Sequence, residues 1–177
     1  NLSRRTNTPL GVTPVQIATA FSAVANGGNL VRPHVVRGLR AGDGSLQRQV
    51  EPVVIRRVIS SETARTLLDM MRAVVEEGTG KEAALEEYSV AGKTGTAQKL
   101  DPATGRYSHQ KVVASFVGAV PAERPRLVIL VLIDEPETLR WGGSIASPTF
   151  REIARDALKY LQVPPSPARD VRLVRVS

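Results

Sequence analysis

Two apolar runs, Val112 to Val120 and Leu127 to Ile133, stand on either side of Pro121-Ala122-Glu123-Arg124-Pro125. Parallel strands need a crossover of about a dozen residues or more, so a link this short constrains the two runs to pair antiparallel. The second run is apolar at every position, which predicts a central strand covered on both faces. Upstream, Tyr88-Ser89-Val90-Ala91 reads as the entry to a third strand, and the link 100–110, with Pro102 and Gly105, predicts a mobile loop.

The rest of the chain supplies helices. Thr13-Pro14-Val15-Gln16 has the capping-box pattern, with Thr13 as N-cap, Pro14 at N1 and Gln16 at N3. Ile17, Phe21 and Val24 then form one apolar face, and Asn26-Gly27-Gly28 ends the helix. Val35-Val36 and Val53-Val54-Ile55, with Gly42-Asp43-Gly44 between them, predict a hairpin. A second helix starts at Ser60 or Ser61, carries Ala64, Leu67, Leu68, Met71, Val74 and Val75 inward, and stops at Gly78-Thr79-Gly80. The last helix has Ser147 as N-cap, Pro148 at N1 and Phe150, Ile153, Ala154, Ala157, Leu158 and Leu161 as its buried stripe, ending before Pro164-Pro165. Helix, hairpin, helix, three strands, helix is an α+β order: an antiparallel sheet flanked by helices. Residues 1–165 are assigned to one domain or a large part of one, with 166–177 as a tail.

Charge and composition narrow the function classes. The net charge of +7 favours anionic partners, but the arginines are dispersed and aromatics are only 4% of the chain. That leaves few platforms for stacking bases, so no nucleic acid is expected. There is no cysteine, and His34 and His109 have no Glu or Cys at metal-ligand spacing, so no metal is expected. No apolar run reaches the roughly 18 residues of a membrane helix. The chain starts at Asn1 without a signal peptide and reads as beginning inside a longer sequence.

The chemistry concentrates in Val90-Ala91-Gly92-Lys93-Thr94-Gly95-Thr96-Ala97. Gly-Lys-Thr also closes a phosphate-binding P-loop, but that motif needs a glycine five positions before its final one, where this chain has Glu87. The alternative is a strand edge lining an acyl-transfer site. Edge N–H groups can hold an extended peptide or an oxyanion. Gly95 would let a substrate backbone approach, Lys93 would place a positive charge beside a reacting hydroxyl, and Thr94 and Thr96 would offer hydroxyls to a carboxylate. Lys-Thr-Gly is the third element of the serine penicillin-binding proteins and class A β-lactamases.

Over residues 10–165 the chain resembles the class B penicillin-binding proteins, the monofunctional peptidoglycan D,D-transpeptidases. The resemblance is carried by Val12-Thr13-Pro14-Val15-Gln16 with Asn26-Gly27-Gly28, by Glu77-Gly78-Thr79-Gly80, and by Val90 to Gln98. Ala114-Ser115-Phe116-Val117-Gly118 with Pro121-Ala122, and Gly142-Gly143 before Ser147-Pro148-Thr149-Phe150, extend it. Ile133-Asp134-Glu135-Pro136 is most similar to the cell-division branch. The resemblance implies the C-terminal half of a penicillin-binding transpeptidase or serine β-lactamase-like fold. It implies Lys93 and Thr96 as catalytic residues, with the Thr96 N–H forming half of an oxyanion hole. Thr94, Gly95 and Thr96 would bind the terminal carboxylate end of a D-Ala-D-Ala stem peptide or a β-lactam. Tyr107 and Trp141 match places where relatives carry aromatic residues, and each reads either as a ligand wall or as ordinary packing. No cofactor is implied. The implied setting is a single-pass anchor in the bacterial inner membrane, a periplasmic catalytic domain, and a membrane glycosyltransferase and other division proteins as partners.

Two departures from the family pattern stand out: Asn7-Thr8-Pro9-Leu10-Gly11 replaces the Gly-aromatic-Gly segment that many relatives carry, and no Ser-x-Asn triplet occurs. The lone Ser-x-x-Lys, Ser108-His109-Gln110-Lys111, lies downstream of Lys-Thr-Gly, where a nucleophile is not placed, and reads as a decoy. The chain alone is therefore expected to be inactive. A β-lactamase, a penicillin-sensing receptor and a basic binding module are the competing functions.

Overall fold

The computed structural model describes residues 11–101, 104–137 and 142–167. Helix α1 runs Pro14–Ala25, and the reciprocal capping box between Thr13 and Gln16 forms as the sequence predicts. Gly27 and Gly28 take positive φ at its exit, and Arg57 caps the turn by donating to the Gly27 carbonyl at 2.7 Å. Helix α2, Ser61–Glu76, starts on the Ser60 hydroxyl, which accepts from the Thr63 N–H at 3.0 Å.

Between the helices the expected hairpin is replaced by a nested pair. Strand β1 (Asn29–Val31) pairs antiparallel with β4 (Val54–Arg57), while β2 (Gly38–Arg40) pairs with β3 (Leu46–Gln49) across the Gly42–Gly44 turn. Val35 and Val36 are in no strand. A turn selects the residues nearest it as partners, so the turn lies where the sequence predicts it while the β-branched residues farther out pair elsewhere or not at all.

Strands β5 (Ala91–Asp101), β6 (Arg106–Val120) and β7 (Leu127–Asp134) form an antiparallel sheet in that spatial order. β6 is therefore the central strand, and β7, expected to be central, lies at the sheet's border among the described residues. Its two faces differ although both are apolar in sequence. Register puts Leu127, Ile129, Val131 and Ile133 on the face of Val120, Gly118, Phe116 and Ala114, whereas Leu132 on the opposite face is 39% exposed. The expected mobile loop 100–110 is also largely strand. The pairing continues through Leu100↔Tyr107 and Asp101↔Arg106, with a bulge opposite Lys99 that absorbs the extra residues of β6.

Helix α3 starts at Gly142, earlier than expected, and runs to Tyr160 with Pro148 in its interior. Ser147 is thus no cap but a fully buried residue. The proline forfeits one backbone hydrogen bond, which the helix tolerates because its apolar face is held by the sheet. That face is Ala146, Phe150, Ala154 and Leu158, all fully buried; Ile153 and Leu161, expected inside, are 46% and 47% exposed. At 3.6 residues per turn Ile153 points roughly 100° away from the line through Phe150, Ala154 and Leu158, and Leu161 lies past the helix end.

The core joins α2, α3 and one face of the sheet. Phe116 and Phe150 meet edge to face with ring centroids 4.8 Å apart, and Val75, Tyr88, Val90, Val120 and Val131 surround them. Gly92 and Gly118, paired across β5 and β6, leave the slot these rings fill: a Cβ on Gly92 would come 2.3 Å from Phe116, and one on Gly118 would come 2.8 Å from Phe150. After α3 the chain returns to the start of β5. The Tyr88 hydroxyl donates to the Val163 carbonyl at 2.8 Å, the Ser89 N–H donates to Ser166 Oγ at 3.0 Å, and the Ser166 N–H donates to the Glu87 carbonyl at 2.9 Å.

Candidate functional site

Lys93, Thr94, Gly95 and Thr96 lie in sequence on β5, opposite Val117, Phe116, Ser115 and Ala114 of β6. The outer edge of β5 pairs with no other strand among the described residues. Lys93 sits inside a strand and not at a helix start, so the P-loop reading is excluded. Strand alternation separates the four: Thr94 and Thr96 share the face of Phe116 and α3, while Lys93 and Gly95 share the other.

Lys93 nonetheless reaches round to its neighbour. Its ammonium donates to the Thr94 carbonyl at 3.0 Å and to Thr94 Oγ1 at 3.3 Å. No carboxylate pairs with it among the described residues, which leaves its charge available to a reacting group. Thr94 Oγ1 is also 3.1 Å from Thr79 Oγ1. Thr79 belongs to the turn after α2, where the Gly78 and Gly80 amides both donate to the Val74 carbonyl. The first turn of α3 closes on the same spot: a Cβ on Gly143 would stand 2.4 Å from the Thr79 carbonyl oxygen and 3.5 Å from Thr94 Cγ2. Gly95 has a second reason to be glycine besides clearance for a substrate, since a Cβ there would stand 2.5 Å from Ser115 Oγ.

The remaining candidates suggested by the sequence divide. Tyr107 is on β6 opposite Leu100, 41% exposed, and about 20 Å along the strand from Thr94 at some 3.3 Å per residue. Trp141 lies outside the described residues. Ser108 of the Ser-x-x-Lys decoy is on strand β6, within the bulge, where its hydroxyl accepts from the Lys111 N–H at 3.0 Å. No helical turn places the Lys111 amine on that hydroxyl.

Two features carry no sequence signal for their roles. Thr79 stands in Glu77-Gly78-Thr79-Gly80, a segment that supports the family resemblance without suggesting a function. Lys99, beyond the site on β5, reaches across the bulge to Asp134 at 3.0 Å and Glu135 at 2.7 Å. Its hydrogen bonds to Glu135 and then to Asp134 push its pKa above the usual lysine value. The ion pairs tie the ends of β5 and β7 together without lying at the candidate site.

The strand edge carrying Lys-Thr-Gly-Thr is thus closed by a turn threonine and a glycine-led helix. Residues 4–155 match the penicillin binding protein transpeptidase domain, and the chain belongs to that family. It is 42% identical over 174 residues to the penicillin-binding protein PbpB of Mycolicibacterium smegmatis, covering 91% of this chain and 27% of that one. To the stage V sporulation protein D of Bacillus subtilis it is 39% identical, covering 88% of this chain and 24% of the relative. Among solved structures, penicillin-binding protein 3 of Mycobacterium tuberculosis in complex with ampicillin superposes with a TM-score of 0.81 at 36% identity, covering 92% of this chain and 38% of that one. The chain thus spans about a quarter of the length of the curated relatives it matches.

Proposed function

We propose that this chain is the C-terminal part of a peptidoglycan D,D-transpeptidase domain, residues 1–165, with 166–177 as a tail. Such an enzyme cross-links stem peptides ending in D-Ala-D-Ala through a serine acyl-enzyme and is acylated by β-lactams. The observation that carries this reading is the Lys93–Thr96 edge, with the Lys93 ammonium and a threonine hydroxyl in contact on an open strand. Lys93 would lower the cost of the charge that develops near the serine. The Thr96 N–H would donate to the oxyanion, a contact of a kind worth roughly 3–4 kcal/mol in the transition state. Thr94 and Thr96 would bind the substrate carboxylate, and Gly95 would let the donor backbone close on the edge. Tyr107, on β6 opposite Leu100, would wall the far end of the cleft. The nucleophile would come from sequence outside this chain. The similarity of Ile133-Asp134-Glu135-Pro136 to the cell-division branch supports a role in septal wall synthesis, in which the domain would stand on the periplasmic side, held by an anchor outside this chain, beside a membrane glycosyltransferase and other division proteins.

Full-length protein carrying this segment should label covalently with fluorescent penicillin, whereas the 177-residue chain should not. Stoichiometric labelling of the isolated chain would place the nucleophile within it and make Ser108 the first candidate. Rapid hydrolysis of the bound drug would favour a β-lactamase, and labelling without transpeptidation would favour a receptor.

A further inference from the structure

Thr79 has no part in the roles assigned above, yet its hydroxyl lies 3.1 Å from Thr94 Oγ1, with Lys93 Nζ 3.3 Å away on the same oxygen. An ammonium only donates, so the Lys93–Thr94 bond has one direction. It occupies one lone pair of Thr94 Oγ1 and leaves that oxygen one lone pair and one proton. If Thr79 donates into the remaining lone pair, the Thr94 proton is left for a third atom. If Thr79 accepts, that proton is consumed inside the pair. An anion arriving at Thr94 selects the first arrangement.

We propose that Thr79 is a positioning residue: by donating to Thr94 Oγ1 it turns the Thr94 hydroxyl proton toward the carboxylate of the acyl donor. The proposal deepens the reading above and rests on Thr94 being a carboxylate ligand. Thr79 is suited to the role because its backbone is pinned. The Gly78 and Gly80 amides bind the Val74 carbonyl at 3.1 and 3.0 Å, and Gly143 packs so closely on the Thr79 carbonyl that a Cβ would stand 2.4 Å away. Thr79 is exposed and Thr94 half-buried, so the pair can be approached from solvent.

The test compares acylation of the full-length protein by benzylpenicillin and by its methyl ester, which keeps the lactam and removes the carboxylate charge. Thr79→Val should slow acylation by benzylpenicillin about tenfold, equivalent to roughly 1.4 kcal/mol, and leave the ester's rate near that of the wild type. Thr79→Ala should give the same loss of preference, which guards against a defect peculiar to valine, and Thr79→Ser should restore it. A purely structural link between α2 and β5 would slow both substrates alike and lower Tm, and that result would overturn the proposal. So would an unchanged preference in Thr79→Val while Thr94→Val loses it, which leaves the carboxylate role of Thr94 standing. If Thr94→Val also keeps the preference, the carboxylate assignment itself has failed and the proposal with it.

Discussion

Glycine answers two different demands on β5. At Gly92 a Cβ would meet the Phe116 ring at 2.3 Å and the Val117 carbonyl oxygen at 2.9 Å, neither of which can turn aside. At Gly95 the obstacle is Ser115 Oγ at 2.5 Å, the end of a side chain that can rotate. Gly92→Ala should therefore cost about 1–3 kcal/mol through overpacking, and Gly95→Ala should melt close to the wild type while acylating more slowly. Thermal melts alongside acylation rates of the full-length variants check both; a strongly destabilised Gly95→Ala would make that glycine structural. The sequence suggests Gly95 as clearance for a substrate, because the residues beside it are polar and chemically suggestive. Its neighbour Ser115 is not legible, since cross-strand contact depends on register, which no local pattern records. The same holds for Thr79, which is fifteen residues from Thr94 in the chain and becomes its partner only when α2 ends where it does.

Elements are readable in proportion to how local their code is. Both α1 and α2 start on side-chain caps that lie within three residues of the amide they satisfy, so Thr13 and Ser60 can be found by inspection. Strand partners are not local, and that is why β1 pairs with β4 and why β7 sits at a border. Rotation of a helix about its axis is also not local. Every candidate in the α3 stripe falls within half a turn of Phe150, and only the sheet decides which ones are covered. Leu158→Ala, at a fully buried position, should cost about 2–5 kcal/mol. Ile153→Ala, at 46% exposure, should change stability by about 0.5 kcal/mol or less. Denaturant midpoints compared at constant m-value separate the two, and a large loss at Ile153 would contradict the rotation of α3 described above.

For the molecule as a whole, the return of the chain after α3 is what fixes the entry of β5. Glu123 joins that contact. Burial raises its carboxyl pKa, but hydrogen bonds from Ser166, Ser89 and its own backbone amide, with the charge of Arg72, together outweigh burial and hold it below the usual glutamate value. A lowered folded pKa stabilises the protein above the unfolded value of about 4.3, and the contribution is lost as pH falls through the folded value. The Tm of the wild type should thus exceed that of Glu123→Gln at neutral pH, and the gap should close below about pH 4. A gap independent of pH would mean that the Glu123 charge does not hold this contact. The contacts from Tyr88 to Val163 and from Ser89 to Ser166 span 75 and 77 residues. Closing loops of that length is entropically slow compared with forming helices or a hairpin. A ribosome delivers β5 long before it delivers residues 163–166, so during synthesis the strand that carries Lys93 and Thr94 spends an interval without its clasp. The β5 edge is therefore fastened only after α3 has been made, and a nascent chain arrested before that point exposes Tyr88 and Val90 as sticky surface for a chaperone to shield.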